Sequence, residues 1–394
     1  MATIYGNAYL TVAATNSAGP DGGLFQPLDE NLQERPVPWH LMPPSSPQLW
    51  YRRSLDHIHL QESSRLHPTS NWDKFVDPVG YPLLGRAWTF QEHLLSPRVV
   101  QFAKRELVWE CSRTMWCCCT PDYEPLVGIK RPLAPWFAPQ ATSASSSNTE
   151  EFIAAWKHIV SRYSVKALTY DQDILPALSG MAKRARKAIK LKYLAGIWAE
   201  DLPSQLCWLT QAVYEGPKGG IWPENYRAPS WSWASIKGPI RWGNLQKQRG
   251  DFHVLEASCT QSDDDPTGRV RGGYIVVEGS VFEGEFEYVG RLPYQNAFRV
   301  KRGDISVRFD ADVPFNRRPF SALMPNGTPL HCIAIGEVER DSYPVKEYCY
   351  VLILRKIKSW PERFARVGIS EVIVWRKDWE NLFKSAITRK LRVL

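Results

Sequence analysis

The feature of this sequence that most constrains its fold is a change in hydrophobic pattern near residue 236. Before that point, apolar residues recur at helical spacing from Phe152 to Tyr163 and again after Pro176. After it, short runs rich in β-branched and aromatic residues alternate with turn sequences. The pattern predicts a helical middle followed by an antiparallel β-rich C-terminal domain. The runs are 252–259, 274–282, 305–309, 331–338, 348–357 and 372–375, and the turns include Gly272-Gly273 and Asn326-Gly327.

The region before the helices predicts an α/β arrangement of shorter elements. Helical spacing covers 86–95, and Ser96-Pro97 ends that helix because proline disfavours a helical residue before it. Residues 26–80 are rich in proline and show no periodicity, so we interpret them as a loop or an insertion. The predicted strands are 8–15, 99–102 and 106–111. The fold class is therefore α+β, with an N-terminal α/β part.

Composition divides the chain into four predicted segments. The Ser-rich stretch 139–149 is typical of a linker. Asn148 or Thr149 can cap the helix that follows it. We expect the β-rich segment to fold as a unit separable from the first segment. The segments are a domain over 1–135, a linker over 136–150, a helical segment over 151–235 and a β-rich domain over 236–394.

Length, charge and cysteine content exclude several classes of protein. The 394 residues are enough to bury a core without disulfide staples. The 49 basic and 41 acidic residues give a net charge of +8, which permits an anionic partner but does not require one. No apolar run approaches the ~18 residues of a membrane span. Met1–Gly6 lacks a signal-peptide pattern, so the eight cysteines are interpreted as reduced thiols of a cytoplasmic protein.

Neighbouring cysteines raise the question of a metal site. Zinc ligands are usually spaced two to four residues apart, and three adjacent cysteines cannot all turn inward from a strand. We therefore interpret Cys111 and Cys117–Cys119 as buried or half-buried thiols, with a reactive or acylated cysteine as a minor alternative. His57 and His59 lie in a loop-like stretch and favour solvated side chains. We predict no metal and no cofactor.

The basic stretch Lys183–Lys190 favours a solvated helix face over a nucleic-acid site, because it lies on the polar side of an amphipathic helix. No aromatic-glycine motif for nucleic acid accompanies it. Nucleic-acid binding is therefore the weakest of the functional classes.

Glu92 is the carboxylate with two open interpretations. It shares a helix face with Trp88 and Leu95, which would remove part of its water and raise its pKa. Arg86 and Arg98 are close in sequence and would oppose that shift. A glutamate locked to one of these arginines is favoured over a catalytic one, because ion pairs also perturb carboxylates.

Several sequence blocks occur in an order that points to one family. The longest runs from Leu84 to Arg98 and includes Arg86-Ala87-Trp88 and Gln91-Glu92-His93-Leu94-Leu95-Ser96. Others are Met1–Ala8, Val12–Thr15, Gly22–Leu24, Trp109-Glu110-Cys111, Leu175–Gly180, Tyr193–Trp198 and Ala228–Ser235. Together they resemble the fungal heterokaryon-incompatibility domain family over roughly 1–235. The positions matching the family's motifs are Arg86, Trp88, Gln91, Glu92, Leu95, Ser96, Arg98, Trp109, Glu110, Cys111, Pro229, Trp231 and Trp233.

The blocks that open the family's domain are missing from this sequence. They are similar to Ala-Leu-Ser-Tyr-x-Trp-Gly and Trp-Ile-Asp-x-x-Cys-Ile-x-Gln. We therefore expect the chain to correspond to the second half of the domain plus its C-terminal extension. We expect the genomic DNA upstream of Met1 to encode the missing blocks.

The resemblance implies a function and an alternative to it. The family resembles Toll/interleukin-receptor-type domains in fold and acts in fungal non-self recognition and regulated cell death, a form of innate immunity, through association with itself or other proteins. Some Toll/interleukin-receptor-type domains hydrolyse NAD with a Glu in a Trp-Cys-x-x-Glu pattern, which Trp88 and Glu92 match with Thr89 in place of Cys. NAD would then be a substrate cleaved with the help of a carboxylate. Because the opening strands would supply much of the pocket, we expect little or no such activity from this chain.

Overall fold

The computed structural model contains two compact units. Unit 1 is Met1–Ala144 and unit 2 is Ser145–Leu394, so the division falls within the segment 136–150. The helical and β-rich segments, separated in the sequence analysis, belong to unit 2 together. The structure describes residues 1–25, 33–51, 82–103, 107–117, 130–137, 149–210, 220–292, 295–315, 324–337, 346–357, 363–375, 381–383 and 386–394.

Unit 1 combines short helices with short strands. The helices are α1 (Ala2–Asn7), α2 (Ala87–Leu95) and α3 (Lys130–Phe137), with 3-10 turns at Pro20–Gly22, Trp39–Leu41 and Pro82–Gly85. The strands are β1 (Thr11–Ala13), β2 (Arg35–Pro36), β3 (Trp50–Tyr51), β4 (Arg98–Phe102), β5 (Leu107–Cys111) and β6 (Met115–Cys117). The predicted helix at 86–95 and the strands at 99–102 and 106–111 are confirmed. The strand predicted over 8–15 is confined to β1.

One sheet of unit 1 carries the candidate site. Its order is β1-β4-β5-β6, with β1 parallel to β4 and the other pairs antiparallel. Val99 lies opposite Glu110, and Gln101 lies opposite Val108. Residues directly opposite one another share a face of the sheet, and all four are buried. Glu110 is therefore a carboxylate on the apolar, buried face.

The first part of unit 2 is helical and rich in tryptophan. The predicted helices over 151–163 and after Pro176 are confirmed, and their apolar stripes are buried. The segment 193–208 forms short strands and a single helical turn. The elements are α4 (Thr149–Tyr163), α5 (Pro176–Ile189), β7 (Tyr193–Leu194), β8 (Ile197–Trp198), α6 (Leu202–Gln205), β9 (Trp208–Thr210) and β10 (Ile240–Trp242).

The second part of unit 2 is a large β-sheet, which confirms the β-rich C-terminal region and the α+β class. Antiparallel pairings join β13 to β14, β15, β18, β17 and β16 in turn, and β16 pairs back with β13, so six strands close into a ring. The strands are β11 (Lys247–Gln248), β12 (His253–Gln261), β13 (Val270–Leu292), β14 (Gln295–Arg302), β15 (Ile305–Ala311), β16 (Pro329–Glu337), β17 (Lys346–Lys356), β18 (Arg363–Trp375) and β19 (Ile387–Val393).

The ring is filled with aromatic side chains from neighbouring strands. Phe286, Phe298 and Phe309 are buried, with ring centroids 5.8 to 6.3 Å apart. Edge-to-face and offset contacts of this kind add to the free energy gained from burying the rings. The closed pairing leaves these six strands without a free edge along the paired segments, which favours a rigid core.

One predicted turn is wrong. Gly272-Gly273 lies inside β13, where Gly273 pairs with Cys259 of β12. A Cβ on Gly273 would lie 2.7 Å from Pro229 Cγ and 2.9 Å from the Ser258 carbonyl oxygen. The glycine therefore permits a close approach of two chain segments and does not turn the chain. The turn at Asn326-Gly327 is present, with Gly327 at a φ of +83°.

None of the helices in the described part of the chain is long and apolar enough to cross a membrane.

Candidate functional site

The second half of α2 and the strands after it bring several motif residues together. Ser96 ends α2, and its hydroxyl donates a hydrogen bond to the Glu92 carbonyl oxygen at 2.7 Å. The Thr11 hydroxyl of β1 lies 2.8 Å from the Ser96 hydroxyl. The helix end is therefore bound directly to the first strand of the sheet.

Glu92 is half-buried beside α1. Burial raises the pKa of its carboxyl group above the ordinary value, and the Tyr5 hydroxyl, Arg86 and the terminal ammonium of Met1 oppose that rise. The Tyr5 hydroxyl donates its hydrogen bond to the Glu92 carboxylate, and burial together with that carboxylate raises the pKa of Tyr5. The direction for Glu92 is the one its helical neighbours predicted.

Arg86 and Arg98 do not hold Glu92 in the ion pair that the sequence favoured. The Arg98 guanidinium donates to the Tyr9 carbonyl oxygen at 3.1 Å and lies 4.8 Å from the centre of the Tyr9 ring. Among the described residues, no ion pair joins Glu92 to Arg98 or Arg86. Arg86 acts on Glu92 through its charge alone, and the hydrogen-bond partner is Tyr5.

A second group of polar side chains, which we call the Glu110 cluster, lies beneath α2. It consists of His93, Ser96, Glu110 and Lys130. His93 Nε2 lies 2.6 Å from Glu110 Oε2, and the Lys130 backbone N–H donates to Glu110 Oε1 at 3.2 Å. Lys130 Nζ donates to the Ser96 carbonyl oxygen at 2.6 Å. The cluster thereby joins α2, β5 and the start of α3.

The electrostatics of the Glu110 cluster favour the ionised form of Glu110 in spite of burial. Burial alone would raise the pKa of Glu110, but the charge and hydrogen bond of His93, together with Lys130, outweigh it and hold that pKa below its ordinary value. Burial lowers the pKa of Lys130 to about 8, against the opposing charge of Glu110. A buried carboxylate surrounded by an imidazole, a lysine and a backbone donor is a stable structural arrangement.

The remaining motif residues of unit 1 contribute mainly to packing. Gln91 and Leu95 are buried on α2, and Trp88 is half-buried. The Trp109 ring lies 6.4 Å from the Trp116 ring across the pair β5 and β6. Cys111 is half-buried with a free thiol.

The tryptophan motif of unit 2 is a packing node. Trp231 and Trp233 are fully buried. Trp208 Nε1 donates to the Trp231 carbonyl oxygen at 2.9 Å, and Trp233 Nε1 donates to the Gly196 carbonyl oxygen at 2.9 Å. Gly196 has a φ of +99°, and a Cβ there would lie 2.7 Å from Trp233 Nε1, so the node requires glycine at that position.

A buried ion pair next to this node was not found from the sequence. Arg366 donates to both carboxylate oxygens of Asp312, at 2.9 and 3.1 Å, and also to the Leu206 and Trp208 carbonyl oxygens. Its guanidinium lies 3.5 Å from the centre of the Trp208 ring. Burial raises the pKa of Asp312 although Arg366 opposes it. Arg366 thereby joins β18 to Leu206 and Trp208, which precede the large sheet in the sequence.

The other candidate residues do not form a site among the described residues. Lys183 forms an ion pair with Asp265 at 2.7 Å on the polar side of α5. Burial raises the pKa of the Cys207 and Cys349 thiols to about 12, which makes both poor nucleophiles. The described part of the chain holds no group of three or more His, Cys, Asp or Glu residues arranged for a metal ion. His57, His59, Cys118 and Cys119 lie outside the described residues.

The sequence did not connect three members of the site to their partners. Tyr5, His93 and Lys130 reach it from α1, α2 and α3, and only the tertiary fold brings them to Glu92 and Glu110. His93 lies one residue after Glu92 and projects toward a different neighbour. The spacing of residues on α2 does not identify the partner of His93, because Glu110 lies on another element, β5.

Comparison with known proteins returned no match to a family model, to a curated protein or to a solved structure.

Proposed function

We propose that this chain is a heterokaryon-incompatibility-type protein that acts in fungal non-self recognition and regulated cell death through association with other protein chains. We also propose that unit 1 is related to Toll/interleukin-receptor-like α/β domains and that the protein acts in the cytoplasm. The parallel pair β1 and β4, with α2 before β4, supports an α/β ancestry of that kind.

The observation that carries the association proposal is the free edge of the sheet in unit 1. β1 pairs with β4 on one side and with no described strand on the other. Ile4, Tyr9 and Val12 on and around this edge are at least half-exposed. Exposed edges and apolar surface are the usual features of a protein-binding face.

The polar residues of the resembling block support the same proposal. Ser96, Arg98 and Glu110 all make hydrogen bonds within unit 1. Their side chains stabilise the junction of α2 with the sheet. These motif residues therefore hold in place the sheet whose edge is formed by β1.

Induced expression of the full chain in a filamentous fungus tests the function. We expect growth arrest and dye-permeable cells, and we expect the Glu92→Ala variant to act equally. A Trp231→Ala/Trp233→Ala variant, which removes the packing node, serves as an inactive control. Normal growth at a verified level of the wild-type chain contradicts the proposal.

NAD glycohydrolase activity at Glu92 is the alternative. It is favoured by the raised pKa of this half-buried carboxyl group, since a carboxyl group held partly out of water suits glycosidic cleavage. Cell death that requires Glu92 and accompanies a loss of cellular NAD would support the alternative.

A further inference from the structure

A hairpin in unit 1, which we call the arm, exposes most of its large apolar side chains. The arm comprises residues 33–51 and contains the paired strands β2 and β3. The exposed side chains are Trp39 (81%), Leu41 (69%), Leu49 (52%), Trp50 (60%) and Tyr51 (52%).

The backbone of the arm is held by a defined set of hydrogen bonds. Arg35 pairs with Tyr51 and Pro36 with Trp50. The Val37 N–H donates to the Leu49 carbonyl oxygen at 2.8 Å. The Gln48 side chain donates to the Val37 and Leu49 carbonyl oxygens at 3.1 and 3.0 Å. The exposed rings therefore project from an ordered turn of chain.

Such an arm is costly to leave uncovered. A two-stranded hairpin that buries no apolar face is marginally stable in water. Five large apolar side chains within nineteen residues also exceed the scattered apolar exposure of ordinary surfaces. A partner that covers these side chains would stabilise the hairpin.

We propose that the arm is a self-association surface and that its partner is the arm of a second copy of this chain. The proposal deepens the association function above by naming the partner. Closed dimers use one patch on both copies, so the patch must be complementary to itself. The arm carries both components of such a contact, aromatic rings and five exposed or half-exposed prolines, Pro36, Pro38, Pro43, Pro44 and Pro47.

The exposed area fits a contact between two copies. An aromatic side chain buries about 150–250 Å², so the exposed fractions of Trp39, Trp50 and Tyr51 offer on the order of 300–500 Å² per copy, and Leu41 and Leu49 add to it. The prolines add to that area. A stable interface buries about 800 Å² per partner. Two arms packed together approach that size.

Charge favours the arm over the rest of the chain for such a contact. The arm contains one acidic and one basic residue, Glu34 and Arg35, so two arms do not repel. Unit 1 as a whole has 12 basic and 13 acidic residues, whereas unit 2 has 37 and 28. Two copies that met through unit 2 would bring two strongly positive surfaces together.

Sedimentation of the purified full chain over a range of concentrations tests the proposal. We expect a monomer–dimer equilibrium, and we expect a Trp39→Ser/Trp50→Ser variant to raise the dimer Kd at least about tenfold, as loss of aromatic anchors does at interfaces. The matched control is Leu255→Ser/Val289→Ser, two exposed apolar residues of unit 2, which should leave the Kd unchanged. Near-ultraviolet circular dichroism confirms that both variants are folded.

Three results would overturn the proposal. They are a wild-type chain that stays monomeric at every concentration, an arm variant with an unchanged Kd, and a monomeric chain whose arm binds phosphatidylcholine vesicles. A chain that dimerises through the arm but causes no cell death would retain this proposal and remove the proposed function. A monomeric chain that causes cell death would do the opposite.

Discussion

Unit 1 and unit 2 each bury a carboxylate against basic side chains, Glu110 in the first and Asp312 in the second. Both carboxylates are almost inaccessible to water. The pKa of Glu110 is nevertheless lowered, whereas the pKa of Asp312 is raised. Glu110 has His93, Lys130 and a backbone N–H around it, while Asp312 depends on Arg366 alone and has Asp310 as a like-charged neighbour. The number and charge of the partners decide the direction.

The same two units differ in how completely their sheets are paired. Six strands of unit 2 close into a ring around aromatic side chains, and Arg366 of the buried ion pair lies on β18, one of those strands. In the main sheet of unit 1, no other described strand pairs with the outer side of β1, and the Glu110 cluster binds a short helix to that sheet. We therefore expect the loss of a buried ion pair to lower the free energy of unfolding more in unit 2 than in unit 1.

The largest effect is expected at Arg366. In an Arg366→Met variant Asp312 is buried without a cation, and three carbonyl or carboxylate groups lose donors. We expect the free energy of unfolding to fall by about 3–5 kcal/mol. Urea unfolding of unit 2, followed by tryptophan fluorescence, measures it. Arg308→Met, an exposed arginine of the same sheet, is the control, and equal losses in both variants would contradict the role of the pair.

A somewhat smaller effect is expected at Glu110. In a Glu110→Gln variant His93 and Lys130 lose their carboxylate, but His93 is partly exposed and can bind water in its place. We expect a loss of about 3 kcal/mol, at the low end for a buried pair. Hydrogen exchange of the β4 and β5 amides reports it. Glu34→Gln, an exposed glutamate of unit 1, should leave the exchange rates unchanged.

The opposite pKa directions predict opposite pH dependence. Ionised Glu110 stabilises unit 1 above about pH 4.3, the ordinary pKa of glutamate, and that contribution is lost as pH falls through its lowered pKa. Ionised Asp312 destabilises unit 2 above its raised pKa, and that cost is relieved as pH falls toward the ordinary value near 3.9. Each slope is at most about 1.4 kcal/mol per pH unit.

Difference curves isolate these two slopes. As pH falls, the stability of the wild-type chain relative to Glu110→Gln should decrease. Its stability relative to Asp312→Asn should increase over the window between the raised pKa and about 3.9. Parallel difference curves for the two variants would show that the two carboxylates do not differ in the way described.

The smallest effect is expected at Glu92, the half-buried carboxylate of unit 1. We expect nicotinamide release from NAD to be near zero for the purified chain and equally low for Glu92→Ala. The reason is positional, because catalysis of this cleavage needs a base-stacking wall and phosphate donors held to within about 0.5 Å. Robust release that disappears in the variant would overturn this prediction and support the enzymatic alternative.

Local patterns in the sequence predicted the helices and strands better than they predicted which strands pair with one another. The helices α4 and α5 follow from apolar spacing and from their predicted starts near Thr149 and Pro176, and both helices are present. β13 was predicted only over 274–282, because its ends at Val270 and Leu292 are rich in glycine and charge. Those ends are ordered by pairing with β12 and β14, which no local pattern encodes.

The candidate site shows the same limit. The block around Glu92 was found from the sequence, and burial does raise the pKa of that carboxyl group. Its actual partner, Tyr5, lies 87 positions away, and the ion pair of Asp312 with Arg366 joins residues 54 positions apart. Contacts at such distances depend on how helices and strands pack, so spacing within one element cannot predict them.

The pairing of β13 with β19 has a consequence for the order in which the molecule forms. That pairing joins residues more than 100 positions apart, so unit 2 cannot complete its sheet until the ribosome has made β19. The strands β4 and β5 of unit 1 are close in sequence and can pair early. At about 5–20 residues per second, unit 1 has at least ten seconds to fold before synthesis reaches β19. If the arm binds a second copy as we propose, arms on neighbouring ribosomes can meet during that interval, and copies made from one messenger RNA are the first partners available.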